Sequence, residues 1–210
     1  MLIVGAKGFA KEVLEVCHQN NELENLVFYD DVNQDIGEQL FNKFPILKSI
    51  EDAKSYFETI DNRFTIGIGN PHLRKMLVEK FEGIGGVLAS TISSKSDIGS
   101  YEVYINNGAN ILDGVKISND VKIGKSAIIY YNSIITHDCK IGNYVEISPN
   151  VTVLGRVSVG NFAHLGAGST ILPDINIGKN VVVGAGSVVT KDVPDNCTVV
   201  GIPAKIIKEG

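Results

Sequence analysis

The sequence predicts a small α/β domain at the N-terminus, followed by a parallel β-helix that forms the rest of the chain. Residues 1–86 alternate between short apolar runs and amphipathic helical patterns, which indicates a compact parallel sheet with helices. Residues 87–210 repeat an aliphatic residue at a spacing of six, which fits neither a helix nor a simple hairpin. The stretch "EGIGG" at 82–86 marks the boundary, because glycine-rich segments favour turns.

The N-terminal segments follow one another in the order expected of a parallel α/β unit. Three of them read as strands, namely "MLIVGA", "LVFYDD" and "RFTIGIG". Each is followed by a helical pattern, namely "GFAKEVLEVCHQN", "SIEDAKSYFETI" and "NPHLRKMLVEKFE". Parallel strands joined through helices bring their carboxyl ends to one edge of the sheet.

The C-terminal part has a period of six residues. Every sixth residue from Ile105 to Val189 is Ile, Val or Leu, and the residue two positions earlier is always small or aliphatic. In a pleated strand, residues two positions apart point to the same side, so these two rows fit the inward face of a short strand. A short strand followed by a corner, repeated many times, builds a stacked coil. Glycine often follows the aliphatic residue, and we expect it to supply the corner dihedrals that β-branched residues disfavour. These glycines are Gly124, Gly142, Gly160, Gly166, Gly178 and Gly184.

Composition restricts the function classes. The 210 residues carry a formal charge of −5, which argues against a nucleic-acid partner because phosphate binding requires clustered Lys and Arg. Three cysteines without motif spacing fit a reducing compartment. The N-terminus does not read as a signal peptide, and no apolar run reaches the ~18 residues of a membrane helix. We therefore expect a cytoplasmic protein without membrane insertion.

The closing segment "VVVGAGSVVTKDVPDNCTVVGIPAKIIK" resembles the hexapeptide-repeat acyltransferases, and "IVGAKGFAKEV", "VFYDD" and "IGIGNPHLRKM" narrow the resemblance to the sugar O-/N-acyltransferase family. That family includes N-acetyltransferases of nucleotide-linked 4-amino-4,6-dideoxy sugars and sialic acid O-acetyltransferases. The resemblance implies a Rossmann-like α/β domain that holds a nucleotide-sugar and a left-handed parallel β-helix of hexapeptide repeats that holds acetyl-CoA. It also implies a homotrimer with active sites in clefts between neighbouring coils.

The catalytic candidates lie in the coil. Acetyl transfer to an amine needs a proton acceptor, and histidine suits this role because it titrates near neutral pH. His137 in "ITHDCK" stands at the motif where the family carries its catalytic base, and Asp138 is expected to orient it. Gly155 occupies the family's oxyanion position, where a backbone N–H faces the thioester oxygen. Relatives often carry a second histidine where this chain has Glu146, which is expected either to contact the acceptor in its place or to be dispensable.

The resemblance also places the coenzyme. Ala167 in "LGAG" and Ala185 in "VGAG" match corner positions whose backbone groups contact the pantetheine arm of acetyl-CoA. Pro203 and Lys205 in "GIPAK" match the stretch that closes over the adenine end.

Three segments of the N-terminal domain suggest a nucleotide-sugar site. Gly8 lies at a strand-to-helix turn, where unpaired N–H groups favour phosphate. Asp30 and Asp31 end the second strand, where carboxylates accept hydrogen bonds from a ribose or a base. Gly69 and Asn70 end the third strand. The alternative is that the two aspartates are simply turn residues.

These features favour acetyl-CoA-dependent N-acetylation of a nucleotide-linked 4-amino-4,6-dideoxy sugar. O-acetylation of a sialic acid is the alternative reaction, and a trimeric scaffold that binds a nucleotide-sugar is the non-enzymatic one. We expect no metal, because the coil offers only His137 and His164, and zinc sites of this architecture need three converging histidines. Cys139 falls in the small-residue row, so we expect a core residue rather than a nucleophile.

Overall fold

The computed structural model describes all 210 residues apart from the side chain of Gln34, and it divides them into two compact units, residues 1–94 and 95–210. The first unit thus ends after Ser94, whereas the sequence suggested a boundary after residue 86. The reason lies in pairing, because Val87 pairs with Arg63 and extends the sheet of the first unit before the coil begins.

The first unit is an α/β domain with a mostly parallel sheet. Its helices are α1 (Gly8–Gln19), α2 (Ile50–Thr59) and α3 (Pro71–Glu82), with one 3₁₀ turn at Gln34–Ile36. Its strands are β1 (Leu2–Val4), β2 (Val27–Tyr29), β3 (Gln39–Leu40), β4 (Phe44–Leu47), β5 (Arg63–Ile66), β6 (Val87–Leu88) and β7 (Thr91–Ile92). The sheet order is β3-β4-β2-β1-β5-β6, and only the β3–β4 hairpin is antiparallel. The three strands and three helices expected from the sequence are confirmed.

Local sequence determines where the helices of this unit begin. Ser49 caps α2 by accepting a hydrogen bond from the backbone N–H of Asp52 at 3.1 Å. Asn70 caps α3 in the same way, and Pro71 occupies its first turn, where a missing N–H costs nothing. The buried side of the sheet holds an aromatic cluster formed by Phe57, Phe64 and Phe81, with ring centroids about 6 Å apart.

The second unit is a coil of short parallel strands. Sixteen two-residue strands, β8–β23, follow one another from Asp97 to Val189. They are Asp97–Ile98, Tyr104–Ile105, Asn110–Ile111, Lys116–Ile117, Lys122–Ile123, Ile128–Ile129, Ile134–Ile135, Lys140–Ile141, Glu146–Ile147, Thr152–Val153, Ser158–Val159, His164–Leu165, Thr170–Ile171, Asn176–Ile177, Val182–Val183 and Val188–Val189. A hairpin closes the unit, with β24 at Thr198–Gly201 and β25 at Ala204–Lys208.

Strands β8 to β20 each pair in parallel with the third strand after them, and β22 pairs with β24 of the closing hairpin. Ile117 pairs with Ile135, and Ile135 pairs with Val153, so 18 residues complete one coil and three sheets run along its sides. The aliphatic row is buried from Ile111 to Val189, and the row of small residues is buried beside it. The predicted inward rows and the parallel β-helix are therefore confirmed.

The role expected of the corner glycines is wrong. Positive φ angles do recur every six residues, but they fall three residues after the aliphatic position, as at Asn132 and Asp138. The glycines are needed for close approach instead, because a Cβ on Gly124 would lie 2.4 Å from the carbonyl carbon of Gly142 in the next coil. A Cβ on Gly142 would likewise lie 2.7 Å from the backbone nitrogen of Asn161. Stacking of coils, rather than backbone dihedrals, selects glycine at these positions.

Candidate active site

His137 and Asp138 face each other at a corner of the coil. Nδ1 of His137 lies 2.5 Å from Oδ2 of Asp138, and both side chains are about half exposed. The backbone makes this possible, because Asp138 has a φ of 60°, a conformation that aspartate tolerates better than most residues. The hydrogen bond to His137 lowers the pKa of the Asp138 carboxyl. The carboxylate therefore orients the imidazole and leaves Nε2 available.

Gly155 lies one coil further along, directly beside the imidazole. A Cβ at this position would be 2.6 Å from Cε1 and 2.8 Å from Nε2 of His137, so only glycine leaves room for the ring. The Gly155 carbonyl accepts the backbone N–H of Asp174 at 3.0 Å. Among the described residues, the Gly155 N–H has no acceptor, which leaves a donor beside the imidazole.

A cleft of about 460 Å³ opens along the side of the coil next to His137. Ile134 and Thr136 line it, together with Lys116 and Asp97, whose charged groups are 3.9 Å apart. The imidazole at the rim therefore faces a groove with both apolar and polar walls.

Cys139 is a core residue, as expected. Its side chain is buried, and its thiol donates to the carbonyl oxygen of Leu154 at 3.2 Å. Burial raises the pKa of this thiol, which disfavours the thiolate that a covalent mechanism requires.

Glu146 belongs to a different part of the coil surface from His137. It lies on the strand Glu146–Ile147 and pairs with His164 in the next coil, with Oε1 of Glu146 3.9 Å from Nε2 of His164. The same nitrogen hydrogen-bonds to Oγ of Ser148 at 2.9 Å. Sequence reasoning considered His164 only as a metal ligand and missed this cluster, although Glu146 and His164 are one 18-residue coil apart.

The four residues expected at the coenzyme are exposed. Ala167 and Ala185 lie at one corner in successive coils, linked by a hydrogen bond from the Gly186 N–H to the Ala167 carbonyl at 2.9 Å. Pro203 lies in the turn of the closing hairpin, and Lys205 is the second residue of its return strand and pairs with Val200.

The first unit gathers its candidate residues at the carboxyl edge of its sheet. Gly8 is the first residue of α1, Asp30 follows β2, and Gly69 lies between β5 and α3. These three residues line one cleft of about 240 Å³, as expected from the adjacent positions of β2, β1 and β5. Oδ1 of Asn70 accepts the capping hydrogen bond from the Leu73 N–H. The Gly69 carbonyl accepts a hydrogen bond from the buried Arg74.

The two aspartates have different surroundings. Asp30 is buried, and its carboxylate accepts the backbone N–H groups of Val32 and Asn33, which makes it a turn residue in part. Asp31 accepts the Tyr29 hydroxyl at 2.7 Å and Lys80 at 3.2 Å. Burial would raise the pKa of Asp31, but these hydrogen bonds and the Lys80 charge outweigh burial and lower it.

Lys80 is a residue that sequence reasoning missed, because helix periodicity alone does not show which face of α3 meets the sheet edge. Its ammonium lies 5.3 Å from the centroid of the Tyr29 ring. Lys80, Tyr29 and Asp31 line a second cleft of about 340 Å³, whose apolar wall includes Leu73 and Met76. An aromatic ring, an ion pair and aliphatic side chains therefore meet at this edge.

No described helix combines the length and hydropathy of a membrane span. No three His, Cys, Asp or Glu side chains among the described residues are grouped so as to hold a metal ion.

Comparison with known proteins identifies relatives of both units. Residues 1–81 match the family described as PglD N-terminal domain, and residues 120–155 and 156–191 match the bacterial transferase hexapeptide family, each match spanning six repeats. No curated protein matches the chain significantly.

Solved structures match nearly the whole chain. PerB from Caulobacter crescentus, in complex with CoA and GDP-perosamine, is 31% identical with a TM-score of 0.90, over 99% of this chain and 96% of that one. WeeI from Acinetobacter baumannii is 34% identical with a TM-score of 0.88, over 98% of both chains. The acetyltransferase domain of PglB from Neisseria gonorrhoeae, in complex with acetyl coenzyme A, is 25% identical with a TM-score of 0.87, over 98% of both chains.

A mutant of perosamine N-acetyltransferase from Caulobacter crescentus also matches, with 31% identity and a TM-score of 0.87 over 99% of this chain and 96% of that one. The identity and coverage of these matches, together with the two family matches, extend over both units of the molecule. The chain belongs to the sugar O-/N-acyltransferase family of left-handed β-helix, hexapeptide-repeat acetyltransferases.

Proposed function

We propose that the protein transfers the acetyl group of acetyl-CoA to the amine of a nucleotide-linked 4-amino-4,6-dideoxy sugar. The observation that carries this proposal is the close approach of the His137 imidazole to Gly155, with Nδ1 of the same ring held by Asp138. The relatives solved with CoA and GDP-perosamine, or with acetyl coenzyme A, support the classes of donor and acceptor.

His137 acts as the general base in this proposal. An ammonium has no lone pair for attack on a carbonyl, so the acceptor must lose a proton, and Nε2 is the ring nitrogen that faces away from Asp138. Asp138 fixes the tautomer and stabilises the imidazolium that forms. His137 releases that first proton to solvent, and the free amine attacks the thioester carbonyl. The nitrogen then loses a second proton, and His137 passes it to the CoA thiolate as the C–S bond breaks, so the base is regenerated within one turnover.

Gly155 supplies the electrostatic part of catalysis. Attack on the thioester creates a tetrahedral intermediate with a negatively charged oxygen, and the Gly155 N–H lies beside the base that would act on the same centre. One such donor stabilises the transition state by about 3–4 kcal/mol in comparable enzymes.

The nucleotide of the acceptor occupies the sheet edge of the first unit in our proposal. The cleft with Gly8, Asp30 and Gly69 offers a helix N-terminus for phosphate. The neighbouring cleft with Asp31 and Lys80 has the aromatic and apolar walls that suit a base and sugar. Glu146, beside His164, is the residue that we expect to contact the acceptor sugar on the coil.

The coenzyme extends along exposed corners of the coil in our proposal. Ala167 and Ala185 carry small side chains, which leave their backbone groups accessible to the amides of a pantetheine arm. Pro203 and Lys205, both exposed in the closing hairpin, would contact the adenine end.

We also propose that the active unit is a homotrimer. Ile134 is 38% exposed and lines the cleft beside His137, and Val182 is 39% exposed at an outward position of the coil. Exposed aliphatic side chains at outward strand positions fit burial against a second copy. A neighbouring copy would complete the open side of the cleft.

Release of free CoA tests the proposed reaction. The protein is incubated with acetyl-CoA and a panel of UDP-, GDP- and dTDP-linked 4-amino sugars, beside free sialic acid as the hydroxyl acceptor. We expect turnover with at least one amino sugar and transfer of the acetyl group to its nitrogen, detected by mass spectrometry. Turnover with sialic acid alone would replace the proposal with O-acetylation, and binding of nucleotide-sugar without any turnover would favour a scaffold.

A further inference from the structure

Charged residues form a column at the corner that carries the candidate base. Asp120, Asp138, Arg156 and Asp174 occupy equivalent positions in successive coils, with φ angles of 54°, 60°, 62° and 64°. Aspartate is common in this left-handed conformation, but arginine is not, so the backbone does not explain Arg156. It is the one cation of this charged column.

Arg156 is fixed at both ends. Its Nε and Nη2 atoms donate to the two carboxylate oxygens of Asp174 at 2.6 and 2.8 Å, which is the bidentate geometry of a strong charge-assisted pair. Its backbone N–H donates to the carbonyl oxygen of His137 at 3.1 Å. The guanidinium is therefore held one coil away from Asp138, directly after the candidate oxyanion donor Gly155.

The column acts on Asp138 from both sides. The hydrogen bond with His137 is the largest cause that lowers the pKa of the Asp138 carboxyl, and the charge of Arg156 adds to it. Asp174 is the largest cause that raises the pKa of Arg156, and Asp138 contributes to the same shift. Asp120, in the preceding coil, brings a further carboxyl to the same column.

The other charged groups near His137 pair with each other, and the nearby thiol is neutral. Lys116 and Asp97 line the adjacent cleft and pair with each other at 3.9 Å. The buried Cys139 thiol donates to the His137 carbonyl at 3.5 Å, and burial raises its pKa and keeps it uncharged. Within one chain, Asp120 and the Arg156–Asp174 pair are therefore the charged groups of the column that adjoin the His137–Asp138 pair.

We propose that Arg156, clamped by Asp174, is a positioning residue whose fixed charge, one coil from Asp138, tunes the pH range in which the His137–Asp138 pair accepts a proton. Its effect on turnover rests on the proposed function. Its effect on the His137–Asp138 pair does not, because this effect needs no substrate.

The proposal predicts opposite effects for the two members of the clamp. Arg156→Gln removes the cation, so the column becomes more negative and favours the imidazolium, which moves the His137 titration to higher pH. Asp174→Asn removes the neutralising carboxylate and leaves the Arg156 charge uncompensated, which moves the titration to lower pH. For exposed charges one coil apart, we expect the titration midpoint of His137 to shift by about 0.3–0.5 pH unit at low salt and by less at high salt.

The test is a proton–nitrogen NMR titration of the histidine rings in the full-length protein without substrate, with His137→Gln used to assign the His137 signals. The variants are Arg156→Gln, Arg156→Lys and Asp174→Asn. Lys179→Gln serves as the control, because Lys179 forms a comparably exposed pair with Asp195 at a different corner. We expect opposite midpoint shifts for the two charge removals, a midpoint near wild type for Arg156→Lys, and no shift for the control.

Shifts in the same direction, no shift, or an equal shift in Lys179→Gln would overturn the proposal. The acid limb of the pH profile of kcat/KM should move in parallel with the NMR midpoints. If the wild-type protein shows no turnover, the proposed function fails and the NMR midpoints alone decide the role of Arg156.

Discussion

The imidazole of His137 occupies the space that a side chain at position 155 would fill. A Cβ there would lie 2.6 Å from the ring, well inside van der Waals contact. Oδ2 of Asp138 lies 2.5 Å from Nδ1 of the same ring. The orientation of the candidate base thus depends on a neighbouring residue without a side chain and on a carboxylate that holds one ring nitrogen.

Gly155→Ala tests this arrangement. The added methyl group would lie 2.6 Å from Cε1 of His137 and therefore displaces the imidazole, so the proposed base and the proposed oxyanion donor no longer act on one centre. We expect kcat to fall about 10²–10³-fold, the range measured when an oxyanion donor is lost. Steady-state kinetics measure the loss, and circular dichroism checks that the coil is intact. Activity within twofold of wild type would contradict the assigned role of Gly155.

Part of this site could be predicted from the sequence, and part could not. The 18-residue coil places His137 next to Gly155, so the period of six is sufficient to bring them together. Helix periodicity did not indicate that Lys80 reaches Asp31, because that contact depends on how α3 packs against the sheet. His164 was also missed, because its polar role arises from pairing with Glu146 across coils.

At the scale of elements, stacking of the coils limits side-chain size at repeated positions. Gly124, Gly142, Gly160 and Gly178 succeed one another in neighbouring coils, and a Cβ at any of them would approach backbone atoms within 2.7 Å. Backbone cannot yield as the end of a flexible side chain can. The column of glycines is therefore a packing requirement of the coil.

Gly142→Ala tests this requirement. We expect the free energy of unfolding to fall by about 1–3 kcal/mol, as for other overpacked sites. Urea denaturation followed by circular dichroism measures the change. Lys140→Ala, on an exposed side chain of the same coil, is the control and should change the stability by less than about 0.5 kcal/mol. Equal stability of the two variants would show that the column tolerates a methyl group.

Asp61 forms an electrostatic contact with Arg63, the first residue of β5. It accepts hydrogen bonds from the backbone and guanidinium of Arg63 at 2.9 and 2.8 Å. Burial would raise its pKa, but these bonds and the N-terminal ammonium of Met1, 2.9 Å from Oδ2, outweigh burial and hold the pKa well below the usual range. Such a lowered pKa stabilises the fold above the unfolded-state value, and this contribution is lost as pH falls through the folded-state value.

We therefore expect Asp61→Asn to destabilise the protein by about 1 kcal/mol at pH 7, a value reduced for the exposure of Arg63. The gap between wild type and variant should narrow as pH falls below about 4, since protonation of Asp61 removes the same charge. Chemical denaturation at several pH values measures it. A gap that stays constant down to pH 2 would exclude this ionic contribution.

The sequence failed to predict strands only where the strands are too short to show a period. The β3–β4 hairpin joins strands of two and four residues through Phe41, Asn42 and Lys43, of which the first two have positive φ. Two residues cannot show a period, and phenylalanine gives no turn signal. By contrast, the aliphatic row from Ile111 to Val189 is long enough to define its own period, and it is buried throughout.

At the scale of the whole molecule, the proposed trimer makes activity depend on assembly. The exposed Ile134 beside His137 fits a cleft that a second copy completes. We expect light scattering coupled to size exclusion to give three times the mass of one chain. Ile134→Glu should shift the mass toward the monomer and lower kcat/KM by at least tenfold, whereas Lys140→Glu should do neither. A fully active monomer would contradict the shared site.

The central claim is that the imidazole of His137 takes the acceptor proton in acetyl transfer. It is tested most directly by kcat for His137→Gln, with the CoA-release assay, the acceptor found in the panel and saturating acetyl-CoA. Loss of a general base predicts a fall of about 10²–10⁴-fold at pH 7.5. The fall should become smaller as pH rises, because the amine then deprotonates without help. A variant with wild-type kcat and an unchanged pH profile would contradict the claim.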